Sequence, residues 1–271
     1  MPRRPLITIT TDFGLNDPFV GVVKGVILGI NPEVSIVDLN LQVSSYDVFD
    51  GALSLAQSYR SFPVETIHLV IVDPGVGGSR RPIVARTMDY KFVAPDNGVL
   101  SLVYEREENV EVREIDAEHY FLHPVSKTFH GRDVFAPIAA WLTRGVEVTR
   151  LGEQITDFVR FAAPKPKPAG EGVLKGVALK VDKFGTLITN LTPENAPQLF
   201  SENPSPFKLI INQKEITQLR QSYSEGQPSE VFAILGSSGY LEVATNRGSA
   251  AKLLKVGRGV EVTLELGRPP S

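Results

Sequence analysis

The sequence contains no cysteine, which removes disulfide frameworks, thiol nucleophiles and cysteine-based metal sites from consideration at once. Histidine is scarce, with four in 271 residues, and no metal site is assigned among them: His68 falls inside an apolar strand and reads as packed, and His119 and His123 lie in a polar connection. Positive charge is not in excess. The net charge of −3 gives no general attraction for phosphate backbones, so nucleic acid is not an expected partner. No run approaches the ~20 apolar residues of a membrane span. The opening Met1-Pro2-Arg3-Arg4-Pro5 is followed by a short Ile/Thr run rather than an export segment, so a cytoplasmic protein with no membrane partner is expected. No internal repeat is visible. What is present, 42% hydrophobic and 22% charged residues, is the composition of an ordinary globular protein, and the length favours two modest domains.

The central feature is an apolar run over residues 67–72 that reads as a strand covered on both faces. Pro74 and Gly75 forbid its continuation, so Asp73 is delivered into the glycine-rich loop Asp73-Pro74-Gly75-Val76-Gly77-Gly78-Ser79-Arg80-Arg81. Open α/β sheets hold ligands at the carboxyl ends of their strands, and an Arg80 ion pair back to Asp73 is sterically possible. Taken alone, Asp-Pro-Gly is foremost turn chemistry. Residues 5–10 alternate β-branched side chains and read as a first strand ending at Thr11-Asp12-Phe13-Gly14, which puts Asp12 on the same rim unless it only caps the next helix.

Helical spacing of Val20, Val23, Ile27 and Ile30 predicts a helix over 19–30, followed by a short strand at 34–37. Asp47 predicts the cap of a helix over 48–62 with Phe49, Leu53, Leu55 and Ala56 inward. A hairpin of strands 82–87 and 90–94, the turn Asp96-Asn97-Gly98 and a strand at 110–115 come next. Phe129-His130-Gly131-Arg132-Asp133 then precedes a helix bearing Val134, Ile138, Trp141 and Leu142, which Gly145 ends. His130 thus stands outside a helix amino terminus, where unpaired N–H groups favour developing negative charge, although a lone His is more often structural.

Residues 162–172 form a Pro- and Gly-rich linker, and the boundary is placed after residue 167: an α/β domain over 1–167 and a β-barrel-like domain over 168–271. The second is expected to hold strands at 173–181, 187–190, 207–211, 230–235, 240–244 and 260–266 with no long helix. Its loops Asp182-Lys183-Phe184-Gly185-Thr186 and Gly236-Ser237-Ser238-Gly239-Tyr240-Leu241-Glu242 carry polar groups on glycine frames. Phe184 and Tyr240 offer faces for a flat ring, and Asn190 and Glu242 offer hydrogen bonds to a base edge or ribose, while plain hairpin loops explain both equally.

Taken in order, Thr11-Asp12-Phe13-Gly14, Asp73-Pro74-Gly75-Val76-Gly77, Ala94-Pro95-Asp96-Asn97-Gly98, Phe129-His130-Gly131-Arg132-Asp133, Asp182-Lys183-Phe184-Gly185 and Gly236 to Glu242 resemble the S-adenosyl-L-methionine hydroxide adenosyltransferase family, relatives of the S-adenosylmethionine-dependent fluorinase and chlorinase. The resemblance implies an α/β domain, a carboxy-terminal β-barrel, and a homotrimer with active sites between subunits. It implies cleavage of S-adenosylmethionine by water to adenosine and L-methionine, with no cofactor. Its catalytic Asp, Arg and His fall on Asp73, Arg80 and His130, and its ribose-binding Asp on Asp12. Substrate contacts fall on Phe13, on an aromatic wall of Tyr46 and Phe129, and on Asp182, Phe184, Asn190, Ser238, Tyr240, Glu242 and Val243. The chain departs from the family pattern at Thr186, where an Asn is usual after Phe-Gly. On this reading Asp73 accepts a hydrogen bond from the water, His130 holds or receives its proton, and Arg80 stabilises hydroxide character. Two other classes remain open to the residues alone: a metal-dependent phosphoester hydrolase built on Asp12, Asp73, Asp96 and His130, and a non-catalytic adenosine or S-adenosylmethionine sensor.

Overall fold

Six short stretches, mostly rich in β-branched residues, build the sheet of the first half: β1 (Leu6–Thr11), β2 (Ser35–Asn40), β3 (Ile67–Ile71), β4 (Pro82–Arg86), β5 (Lys91–Pro95) and β6 (Glu111–Glu114). The computed structural model describes residues 4–201 and 204–267. Contacts separate these into two compact units between Ala162 and Ala163, at the start of the expected linker.

In the first unit the strand order is β2-β1-β3-β5-β4-β6, with β2, β1, β3 and β5 parallel and β4 antiparallel to both its neighbours. Every residue of β3 is buried, as a run of apolar residues without alternation requires. Ile67, Leu69 and Ile71 belong to a core shared with α1 (Phe19–Ile30) and with a helix further along the chain, while Val70 and Val72 belong to a second core with α2 (Val48–Ala56) and α3 (Ser101–Tyr104). That further helix is α4 (Ala136–Thr143), so the sheet is sandwiched between two helical layers, the expected α/β class.

The helix predicted over 48–62 stops at Ala56. The Ser58 hydroxyl donates to the Ser54 carbonyl at 2.6 Å, and a 3₁₀ turn over Tyr59–Ser61 follows. Phe49 is half-buried, its ring 5.7 Å from that of Phe161 rather than deep in the core.

The second unit is one nine-stranded sheet. Its strands are β7 (Lys167–Gly170), β8 (Val173–Val181), β9 (Leu187–Thr189), β10 (Phe207–Ile211), β11 (Lys214–Ile216), β12 (Leu219–Arg220), β13 (Val231–Leu235), β14 (Leu241–Thr245) and β15 (Glu261–Leu266). The long strand β8 pairs with β15 along Val173 to Val177 and with β9 from Ala178 to Val181, so the sheet curls around one core, the expected barrel-like half. The short strands β7, β11 and β12 and the helix α5 (Ala250–Leu254) were not among the expected elements; each is too brief to show a period. No helix among the described residues is long and apolar enough to cross a membrane.

His68 illustrates how firmly β3 is enclosed. It lies opposite Thr8 in the β1 ladder, bonded through Nδ1 to the Thr8 hydroxyl at 2.7 Å, and is ringed by Tyr59, Phe62, Tyr90 and Phe92. Burial pulls its pKa down to about 3. The unfolded chain binds a proton near pH 6.5 that the folded chain does not, so stability is full above that value and falls as pH drops toward 3. Replacing His68 by Gln should remove on the order of 2–3 kcal/mol of the stability lost between pH 6.5 and 4.5. Urea unfolding at both pH values checks this, and an unaltered pH dependence would contradict it.

Candidate active site

β1 and β3 are parallel neighbours with Thr11 opposite Ile71, so Asp12 and Asp73 leave the sheet at the same carboxyl edge. Because β2 and β3 flank β1 on opposite sides, the chain reverses its direction of winding there, which opens a crevice outside those strand ends.

Arg80 folds back across the loop onto Asp73. Its Nε donates to Oδ1 at 2.9 Å and to Oδ2 at 3.0 Å, and Nη2 donates to Oδ2 at 2.5 Å. The same Nη2 approaches Nδ1 of His130 at 2.8 Å, and the Phe135 ring lies beneath the guanidinium at 5.0 Å. Both charged side chains are buried, 9% and 6% exposed. A guanidinium can only donate, so Nδ1 of His130 accepts and the imidazole is neutral with its proton on Nε2. Burial first, then the neighbouring Arg80, pulls the His130 pKa below its ordinary value, against Asp73 and Asp133.

In the same loop Gly77 has a φ of +74°, which suits glycine, and a Cβ there would stand 2.1 Å from the Lys127 carbonyl oxygen. His130 caps a π-helical turn, Gly131–Phe135, that runs into α4. The loop before it is held by buried Asp133, which accepts from Ser126 N–H at 2.8 Å and pairs with Arg132. Burial acts to raise the Asp133 carboxyl, but the bonds from Arg132 and Ser126 outweigh it and leave it below its usual value.

Around the cluster, Phe13, Phe19 and Phe129 form a ring of aromatic contacts with centroids 5.4 to 6.0 Å apart. Gly131 sits against both Phe13 and Phe129, so this wall adjoins His130. Asp12 accepts the Tyr46 N–H at 2.8 Å, and Tyr46 is held with φ of +65° while its side chain stays exposed. A bulky residue in that conformation marks a constrained rim. The structure therefore brings Asp12, Phe13, Tyr46, Asp73, Arg80, Phe129 and His130 to one edge of the sheet. Phe19 and Phe135 were not singled out in the sequence.

The second-unit candidates divide. Asp182 closes its loop by accepting from Phe184 N–H at 2.9 Å and Thr186 N–H at 2.8 Å, leaving Phe184 68% exposed. Asp182, Phe184 and Thr186 line a cleft of about 550 Å³ with Tyr223, Thr245, Arg247 and Gly248. Glu242 is buried, accepts the Tyr223 hydroxyl at 2.9 Å, and has its pKa raised by that burial. Ser238 and Tyr240 lie half-buried at the β13–β14 hairpin. Asn190 faces inward, its amide spent on Val177 N–H and the Pro164 carbonyl, and the Val243 side chain belongs wholly to the core. Tyr223 and Arg247 gave no signal, since they sit in polar stretches without period.

Among the described residues no group of three or more His, Asp or Glu is placed to hold a metal ion. Asp96, a member of the alternative metal set, is engaged by Arg81 and by Val159 N–H.

The family model of the SAM hydroxide adenosyltransferase N-terminal domain matches residues 7–152, and that of the C-terminal domain matches 176–263. The chain is 34% identical over 270 residues to a Salinispora tropica protein named (R)-S-adenosyl-L-methionine hydrolase, covering 98% of this chain and 100% of that one. A Methanocaldococcus jannaschii protein of the same name is 30% identical, covering 93% and 92%. The crystal structure of an uncharacterized conserved protein from Thermotoga maritima superposes with a TM-score of 0.89 at 36% identity, over 97% of this chain and 100% of that one.

The His130 imidazole should titrate below its ordinary value, and Arg80→Ala should move that titration upward, because a cation that opposes protonation is removed. Histidine ring signals followed by NMR against pH test this; an unmoved titration in the variant would contradict the contact.

Proposed function

The chain belongs to the SAM hydroxide adenosyltransferase family, and we propose that it hydrolyses S-adenosyl-L-methionine to adenosine and L-methionine. The observation that carries this reading is its near-full-length likeness to relatives named for that hydrolysis. Their name specifies the (R) epimer of the sulfonium, and the proposal includes that preference.

In the reaction the water oxygen forms a bond to ribose C5′ while the C5′–S bond breaks. The bonding pair passes to sulfur, methionine leaves as a neutral thioether, and the protonated 5′ oxygen releases one proton to solvent. The equation balances without a cofactor, and the chemistry calls for none. Asp73 orients the water by accepting one of its hydrogens. His130, neutral and protonated on Nε2, presents a donor that holds the water's direction. Positioning of this kind can supply roughly 7 to 11 kcal/mol, against about 10²- to 10⁴-fold from general-base action. A halide is a worse fit as nucleophile, because the Asp73 carboxylate raises the cost of a second anion beside it.

Asp12 is assigned to the ribose hydroxyls, with Phe13, Tyr46 and Phe129 as apolar walls. Asp182, Phe184, Ser238, Tyr240 and Glu242 are assigned as contacts to adenine and methionine; the Asn190 amide is engaged by backbone groups and the Val243 side chain lies in the core. A homotrimer with active sites between subunits completes the proposal, and light scattering should return three times the 29.6 kDa chain mass.

Purified protein given each sulfonium epimer should release adenosine and methionine, faster from the (R) form. Asp73→Ala and His130→Ala should each lose on the order of 100-fold in kcat or more while remaining folded by circular dichroism. No adenosine from either epimer would overturn the reaction, and full activity in both variants would overturn the roles.

A further inference from the structure

On its β1 side β3 stays paired as far as Ile71, opposite Thr11, but on its β5 side the ladder ends with Leu69 opposite Val93, so the strand enters the loop bearing Asp73 and Arg80 with one flank unpaired. A side chain takes over on that open flank. Asn97, just past the end of β5, donates from Nδ2 to the Val72 carbonyl at 2.8 Å, the peptide group immediately before Asp73. Its Oδ1 meanwhile accepts Val99 N–H at 3.1 Å, the usual bond of an Asx turn. A turn needs only the second bond. The first one reaches across 25 residues of sequence to the start of the loop.

The residue before it grips the other end. Asp96 N–H donates to the Arg81 carbonyl at 2.8 Å, and its Oδ2 takes Arg81 Nη2 at 2.8 Å and Nε at 3.1 Å. Oδ1 of Asp96 accepts Val159 N–H at 2.8 Å, and Arg81 Nη1 reaches Asp157 at 2.9 Å. Asp96 is 5% exposed, so this carboxylate is satisfied by fixed partners rather than by water.

We propose that Asp96 and Asn97 are positioning residues that clamp the two ends of the loop between Val72 and Arg81, so that Arg80 is held against both Asp73 and His130. The inference rests on reading Asp73, Arg80 and His130 as the reacting group. One dipeptide at the end of β5 thereby sets the span across which Arg80 must fold back, and the glycines between absorb the bend. Neither residue touches the reacting atoms. Their effect is expected on alignment, where a displacement of about 1 Å can cost on the order of 10²-fold.

Asn97→Ser tests this, because a Ser hydroxyl can still accept Val99 N–H in a turn but is too short to reach the Val72 carbonyl. Its kcat for S-adenosylmethionine should fall about 10- to 100-fold with KM changed by less than about threefold, and its melting temperature should stay near that of the parent. Asp96→Asn, which keeps an acceptor for Val159 while weakening the hold on Arg81, should lower kcat in the same sense. In both variants the His130 titration should shift upward, as the loop lifts and both burial and Arg80 recede. That titration needs no turnover, so it still reads the clamp if the parent enzyme leaves S-adenosylmethionine intact, an outcome that would overturn the proposed reaction alone. Folded variants with unchanged kcat, or with an unmoved His130 titration, would overturn the clamp.

Discussion

The arrangement depends on one guanidinium shared between a carboxylate and an imidazole. Arg80 lies almost wholly out of solvent, and its planar fork meets both oxygens of Asp73 while one nitrogen turns to His130. A lysine could not reproduce this, since a point charge has no fork to satisfy two acceptors in one plane. Pairing is also what makes the burial tolerable: removing either partner of a buried ion pair leaves an uncompensated charge at a cost of about 3–5 kcal/mol. The contact to His130 costs the imidazole its freedom to be charged, because a donor faces Nδ1. The group therefore works as a neutral, oriented donor on the reading developed above, and not as a cation.

The scaffold delivers the three side chains from different sources. β3, enclosed on both faces, ends rigidly and hands Asp73 to a loop that returns Arg80. A π-helical turn before α4 presents His130, and the Phe13, Phe19 and Phe129 rings close the adjoining wall. Asp12 reaches the same edge only because β1 is the parallel neighbour of β3 in that register. Shifting the pairing by one residue would turn alternate side chains to the opposite face and separate the two carboxylates from their walls.

Much of this was legible in the sequence where the physics is local. The apolar run of β3, the spacing of α1, the proline and glycines after Asp73 and the glycine-framed hairpin loops each follow from short-range rules, and the structure places them accordingly. The Asp73–Arg80 pair could be anticipated because both residues belong to one loop. Partners supplied from a distance could not: the Phe135 ring under Arg80, the Asn97 bond to Val72 and the Tyr223 hydroxyl on Glu242 carry no periodic trace. Asn190 has partners that its sequence context did not reveal. Its polar side chain suggested a ligand contact, but a buried strand end needed that amide for its own backbone partners. The shortened α2 has the same origin, a Ser58 hydroxyl competing for a helix carbonyl.

The proposed chemistry is displacement at the ribose carbon by a water molecule fixed beside Asp73 and His130. Turnover in water enriched in oxygen-18, followed by mass spectrometry of both products, tests it most directly. One labelled oxygen is expected in adenosine, at the 5′ position, and none in methionine. Label absent from adenosine, or found instead in the amino-acid fragment, would contradict it.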